Sequence, residues 1–249
     1  MSLRRRVAEL QVAVMLLTRF PAGRLPEAVP SLSRAQWAYP LVGLPVGLVC
    51  WVICAGSLQA GIPEPVAAML FLVTNALITG ALHHDGLADF ADGVGGGRDA
   101  VSCLAIMRDS RIGSYGVIAL ILALGCQAAS LSSMGPVLTL LPVLAISVSS
   151  RLAMLGVMQI LPPARGDGLG HLAGGGTMKS LCVGCGMAFA LLVGAGLSSA
   201  MAVLASMAAV AVVILLAWRR IGGYTGDVLG AALVAFETVA FISLAGSTT

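Results

Sequence analysis

The stretch His83-His84-Asp85-Gly86-Leu87-Ala88-Asp89-Phe90-Ala91-Asp92-Gly93 closes an apolar run that begins at Glu64. Asp85, Asp89 and Asp92 stand at i, i+4 and i+7, so a helix here gathers three carboxylates within an arc of about 60°. Carboxylates that close repel one another unless a divalent cation neutralises them. The plainer reading is a solvated helix start whose acids complement the helix dipole, yet that needs no trio at helical spacing. Because the cluster ends an apolar run, it belongs where membrane meets water. A membrane-embedded enzyme handling phosphates through Mg²⁺ is the first hypothesis.

Composition agrees with a membrane setting. Apolar residues make up 58% of the 249-residue chain and charged residues 10%, against about 25% charged in a soluble domain. Mean hydropathy is +0.98, so lipid is the expected solvent for most side chains. The six cysteines read as small buried hydrophobes; Cys182 and Cys185 have CxxC spacing, but no second pair completes a zinc set. No basic block with interleaved aromatics occurs, which excludes a nucleic-acid partner.

Stretches of roughly 17–25 apolar residues cross a bilayer. Seven candidates occur: 38–60, 64–82, 114–134, 136–160, 180–198, 200–218 and 228–246. The fifth and sixth also read as one helical hairpin. Val7 to Thr18 follows three arginines and reads as an interfacial helix, expected to be retained and not cleaved as a signal peptide. The expected fold is an all-α polytopic membrane bundle: about seven transmembrane helices plus that N-terminal helix, in a single domain over 1–249.

With the N-terminus in the cytoplasm, the cytoplasmic segments are 1–37, 83–113, 161–179 and 219–227. Thirteen of the fourteen Lys and Arg residues lie there, and the fourteenth, Arg151, falls in the cytoplasmic half of its span. That is the positive-inside pattern. Seven aspartates share the same side, which places the chemistry at the cytoplasmic face of a bacterial inner membrane.

Four islands carry the polar chemistry. In the first, His83 is a candidate base, a phosphate contact or an interfacial polar residue. In the second, Met107-Arg108-Asp109-Ser110-Arg111-Ile112-Gly113-Ser114-Tyr115-Gly116, two arginines three apart would share a helical face and grip phosphate oxygens; the competing role is a positive-inside anchor. The third, Pro162-Pro163-Ala164-Arg165-Gly166-Asp167-Gly168-Leu169-Gly170-His171, is a loop that covers a substrate or merely tethers two spans. Downstream, 174–180 lacks the Gly-Lys-Ser/Thr junction of a phosphate loop. In the fourth, Gly222 to Ala232, Asp227 opens the last span. Glu237 lies about 15 Å further along that helix, where an acid needs a function or a partner; Arg151, also within a span, is a candidate partner for one of these two acids.

Read together, these motifs resemble the cobalamin synthase (adenosylcobinamide-GDP ribazoletransferase) family over almost the whole chain. The carrying residues are Thr18-Arg19-Phe20-Pro21, Tyr39-Pro40-Leu41-Val42-Gly43, His83-x-Asp85-Gly86-Leu87-Ala88-Asp89-x-x-Asp92-Gly93, Arg108-Asp109-Ser110-Arg111-Ile112-Gly113, Ala164-Arg165 with Gly168-Leu169-Gly170, and Gly222-Gly223-x-Thr225-Gly226-Asp227. The resemblance implies the last assembly of the cobalamin nucleotide loop. The ribose 3′-hydroxyl of α-ribazole, or of its 5′-phosphate, would attack the cobinamide-linked phosphorus of adenosylcobinamide-GDP, and GMP would leave. It further implies Mg²⁺ on Asp85, Asp89 and Asp92. Arg108, Ser110, Arg111, Arg151 and Arg165 become substrate contacts, and His83, Asp109 or Asp227 the base. The chain departs from the family at His84, commonly apolar, and at Val234, where an acid is common. A homo-oligomer stays open.

Two rivals are weaker. A CDP-alcohol phosphotransferase places Ala-Arg soon after Asp-Gly and its further aspartates later; here Asp89 and Asp92 come too early. An anion transporter would scatter ionisable groups near mid-bilayer, whereas this chain concentrates them at one edge.

Overall fold

The computed structural model describes residues 3–174 and 177–247, and the glycine pair 175–176 of the run after the third island lies outside the described residues. The chain is all helical: α1 (Leu3–Leu17), α2 (Leu32–Ala35), α3 (Tyr39–Gln59), α4 (Glu64–Thr79), α5 (Leu82–Gly96), α6 (Ala100–Ile106), α7 (Ser114–Met134), α8 (Leu140–Ile160), α9 (Gly168–Ala173), α10 (Met178–Ala195), α11 (Leu197–Ile221) and α12 (Gly226–Gly246). Six helices are long and apolar enough to cross a membrane, or seven if α4 and α5 count as one broken span. The pair expected as a possible hairpin is two such helices, separated at Gly196 with φ +87°. At 15 residues and with a buried face of Ala8, Val12, Ala13 and Leu17, α1 packs against α2 and α3.

The centre of the bundle is α8 with α12. Of their apolar windows, 72% and 67% is buried inside the protein, against 17% for α10. Burial this deep needs small residues where backbones meet, because lipid supplies no hydrophobic drive between helices. Gly43 of α3 sits against the main chain of α8: a Cβ there would come within 2.5 Å of the Ser147 carbonyl oxygen. Phe71 of α4 meets Phe241 of α12 edge to face at 5.7 Å, a favoured aromatic geometry. Arg151 of α8, fully enclosed, pairs with Glu237 of α12 at 3.3 Å. The Ser150 hydroxyl donates to the same carboxylate at 2.8 Å, and Arg151 also donates to the Ser147 carbonyl at 2.8 Å. The intramembrane acid thus has the partner that its burial demands.

The chain breaks between α4 and α5, which meet at 91°. Gly80 (φ +61°) and Ala81 (φ +55°) both take the left-handed conformation. The Ala81 N–H closes on the Ala76 carbonyl at 2.8 Å, six residues to one as in a Schellman stop. The Ala81 carbonyl then accepts the Asp85 N–H at 2.9 Å and opens α5. Arg19 braces the corner: its N–H donates to the Ile78 carbonyl at 2.6 Å and its guanidinium covers Gly80.

Gly43→Ala tests the α3–α8 contact. Overpacking of this kind costs about 1–3 kcal/mol, so the detergent-solubilised variant should melt several degrees below wild type. An unchanged melting temperature would mean that the two helices do not approach this closely.

Candidate active site

The helical reading of the aspartate motif holds, since α5 carries all three carboxylates. Its placement follows from glycine. Gly86 lies directly on α12: a Cβ there would stand 3.1 Å from Asp227 Cα and 3.2 Å from Gly230 Cα. Reciprocally, a Cβ on Gly230 would meet the His83 carbonyl at 3.0 Å. Two glycines facing each other let the helices cross at backbone contact, which sets Asp85 and Asp89 beside Asp227.

A cavity of about 220 Å³ opens at this crossing. His83, Asp85 and Gly86 come from α5, Asp227 and Gly230 from α12, and Arg165 from the loop after α8. The loop is pinned in two ways. Pro163 and Tyr224 form a parallel bridge, with Tyr224 N–H to Pro162 O at 2.8 Å and Ala164 N–H to Tyr224 O at 2.9 Å. The Tyr224 hydroxyl donates to the Gly174 carbonyl at 3.0 Å. Thr225 caps α12 through the Val228 N–H and donates its hydroxyl to Asp227 at 3.0 Å. Arg165 reaches the Leu104 carbonyl at 3.1 Å and lies 3.8 Å from Asp227.

Charge in the site is unbalanced. Asp89 feels Asp85, Asp227 and Asp92 as like charges, with Arg165 as the opposing one. Asp85 is exposed, Asp89 half-buried and Asp92 buried, so the trio descends from the surface into the protein. Asp92 has a different task from the metal ligation expected for it. Its two oxygens accept the Gly113 N–H at 2.7 Å and the Gly116 N–H at 2.9 Å, at the start of α7. A carboxylate on orphan N–H groups at a helix N-terminus is well placed. Gly113 and Gly116 are needed there, since a Cβ on either would come within 2.4 Å of the carboxylate. Among the described residues no three His, Cys, Asp or Glu side chains form a metal-ligand group.

The second island is not a helix; 107–113 is a turn between α6 and α7. Arg108 and Arg111 therefore share no helical face. Arg108 pairs across to Asp167 of the covering loop, whereas Arg111 folds back on Asp109, with Nη2 2.6 Å from Oδ2. Arg111 holds the Asp109 carboxyl down to about 2, so Asp109 stays ionised through the physiological range and is a poor base. Ser110 is exposed beside them, and none of Arg108, Asp109, Ser110 and Arg111 lines the cavity. Arg151 is likewise off the wall, enclosed with Glu237. His83 is 2% exposed, and its Nε2 is buried without a partner.

Tyr39, Asp167 and His171 also line the cavity and were not among the expected site residues. Tyr39 is buried with its hydroxyl unpartnered; its only signal in the sequence is its place in the Tyr-Pro-Leu-Val-Gly motif.

Asp92→Ala should strip the acceptor from one buried and one half-buried N–H group, at about 1–3 kcal/mol. The expected result is faster hydrogen exchange at Gly113 and Gly116 together with a lower melting temperature. Exchange at wild-type rate would remove the capping role.

The family described as cobalamin-5-phosphate synthase matches residues 9–245. A protein of Bradyrhizobium diazoefficiens named adenosylcobinamide-GDP ribazoletransferase is 42% identical over 234 residues, covering 92% of this chain and 90% of its own. Proteins of the same name from Xanthobacter autotrophicus and Azorhizobium caulinodans are 43% and 40% identical, with 93% and 90% of each chain covered respectively. No solved structure matches. With a family match spanning nearly the whole sequence and relatives this similar over nine-tenths of their length, the chain belongs to the cobalamin-5-phosphate synthase family.

Proposed function

We propose that the chain transfers the adenosylcobinamide phosphate group from adenosylcobinamide-GDP to α-ribazole or its 5′-phosphate, releasing GMP. The observation that carries this reading is the shared cavity wall, where Asp85 and Asp227 stand with Arg165 and His83. A cavity of about 220 Å³ takes the reacting phosphate and ribose while the corrinoid stays outside.

Each residue has a task set by its position. Arg165 presents a guanidinium to a phosphate oxygen, and the attached Leu104 carbonyl fixes its direction. Asp227, oriented by Thr225, holds Arg165 from the other side. His83 takes the proton of the attacking ribose hydroxyl as the new O–P bond forms and the bond to GMP breaks. Arg108 and Arg111, already held by Asp167 and Asp109, stand in reserve on the neighbouring turn for the departing GMP phosphate.

Mg²⁺ is the proposed cofactor, with Asp85 and Asp89 as its protein ligands. Oxygen donors suit it, and Mg²⁺ takes one or two carboxylates plus substrate phosphates in preference to an all-protein cage. Neither aspartate has an ion-pair partner among the described residues. When bound, Mg²⁺ neutralises charge on the diphosphate and the departing GMP. The distribution of Lys and Arg supports an inner-membrane protein with the N-terminus and site on the cytoplasmic side.

Purified protein given adenosylcobinamide-GDP, α-ribazole and Mg²⁺ should release GMP, and omission of any one should abolish release. Asp89→Asn should reduce the rate at least a hundredfold while the protein still inserts and folds; wild-type turnover would remove Asp89 from the site. For orientation, in a cysteine-free background Ala100→Cys should react with an impermeant maleimide only from the cytoplasmic side, and Ala60→Cys only from outside. The reverse pattern would invert the topology.

A further inference from the structure

Two clefts that share Arg34 flank α1, and neither has a residue in common with the cavity above. One, of about 290 Å³, lies between α1, the Leu32–Ala38 segment and the start of α10, with Arg6, Arg34, Lys179, Ser33 and Thr177 on its wall. The other, of about 580 Å³, adds Arg4 and Arg5. The one carboxylate lining either cleft is Glu9, which is enclosed and already engaged, while Glu27 stands exposed between the lining residues Pro26 and Ala28 of the larger cleft. Glu9 accepts from Trp37 Nε1 at 2.8 Å and from Arg6 at 2.9 Å, with Arg5 at 3.7 Å. Arg4, Arg34 and Lys179 make no ion pair among the described residues and are exposed. Positive charge is thus concentrated and in excess around two hollows.

The surroundings identify the anion. Val183, on the wall of the smaller cleft, is 43% exposed, and the neighbouring Met178 is 68% exposed. Both belong to α10, the span least buried within the bundle. Below the cations therefore runs an uncovered apolar helix face, and Trp37, with Arg6 stacked 5.2 Å over its ring, marks the interface. A soluble phosphate would satisfy the cations alone; a phospholipid satisfies both the cations and the apolar face.

We propose that these clefts bind the phosphodiester headgroup of an anionic phospholipid whose acyl chains lie along α10. Basic pockets between membrane helices hold such headgroups by the same electrostatics.

The test is native mass spectrometry of the full chain released from nanodiscs of phosphatidylcholine and phosphatidylglycerol at three to one. Wild type should retain phosphatidylglycerol, and Arg34→Gln/Lys179→Gln should retain at least fivefold less. Arg98→Gln/Arg219→Gln, which removes two exposed cations elsewhere, should retain as much as wild type. Ser33→Asp, which adds a carboxylate to the cleft, should also lose the lipid. Equal loss in both double variants would reduce the site to diffuse surface charge and overturn the proposal. So would unchanged retention in Arg34→Gln/Lys179→Gln, or displacement of the lipid by millimolar inorganic phosphate, which would assign the clefts to a soluble anion.

Discussion

The crossing of α5 over α12 at Gly86 and Gly230 fixes the geometry of the whole site. Packed helices usually keep about 8–10 Å between axes because side chains intervene. Here neither helix has a side chain at the crossing, and a Cβ on Gly86 would stand 3.1 Å from Asp227 Cα. Asp85 precedes Gly86 by one residue, Asp89 follows by three, and Asp227 precedes Gly230 by three. Once the glycines touch, the acids have nowhere else to go. A larger residue at either position would separate the carboxylates by roughly the width of its side chain.

Such a gathering opposes folding electrostatically, and Arg165 supplies only one guanidinium against Asp85, Asp89 and Asp227. A phosphate substrate would add further negative charge to the same cavity. A divalent cation between the acids and the phosphate would relieve this repulsion, which is the physical ground for the proposed Mg²⁺. Asp92 escapes this conflict because two N–H groups of α7 and that helix's dipole absorb its charge. The motif is therefore divided: its inner acid secures α5 to α7, while Asp85, one turn before Asp89 on the same helix, lines the cavity.

Much of this was legible before the fold was known. The apolar runs located the spans, because hydrophobic length is set by the bilayer and little else. The helical spacing of Asp85, Asp89 and Asp92 was legible, but spacing gives a shared face and not what that face meets, so Asp92's capping role was hidden. The reading of Arg108 and Arg111 as helical neighbours failed because spacing was taken for periodicity; Gly113 and Asp109 make that segment a turn. That Arg151 pairs with an acid was legible, since a lone charge in lipid is too costly to leave unpaired, but the choice of Glu237 over Asp227 was not. Tyr39 left no chemical signal, because an aromatic at the head of a span reads as packing until a cavity is found beside it.

The broken span explains why a motif remote in sequence belongs to the same machinery. Continuing α4 straight on would carry the aspartates along the α4 axis instead of at right angles to it. The 91° turn lays α5 across α12, and it requires Ala81 to adopt a left-handed conformation that costs an L-residue about 1–2 kcal/mol. That cost must be offset locally, and Thr18-Arg19-Phe20 is the segment in contact. The Thr18 hydroxyl donates to the Val14 carbonyl at 2.7 Å and accepts the Phe20 N–H at 3.2 Å, fixing the end of α1. Arg19 can then present its N–H to the Ile78 carbonyl, in the last turn of α4. Neither Thr18 nor Arg19 lines the cavity, yet they hold the corner from which α5 starts. The N-terminal helix is in this sense part of the site twice over, since Leu16 and Leu17 line the cavity and the segment after them holds the corner.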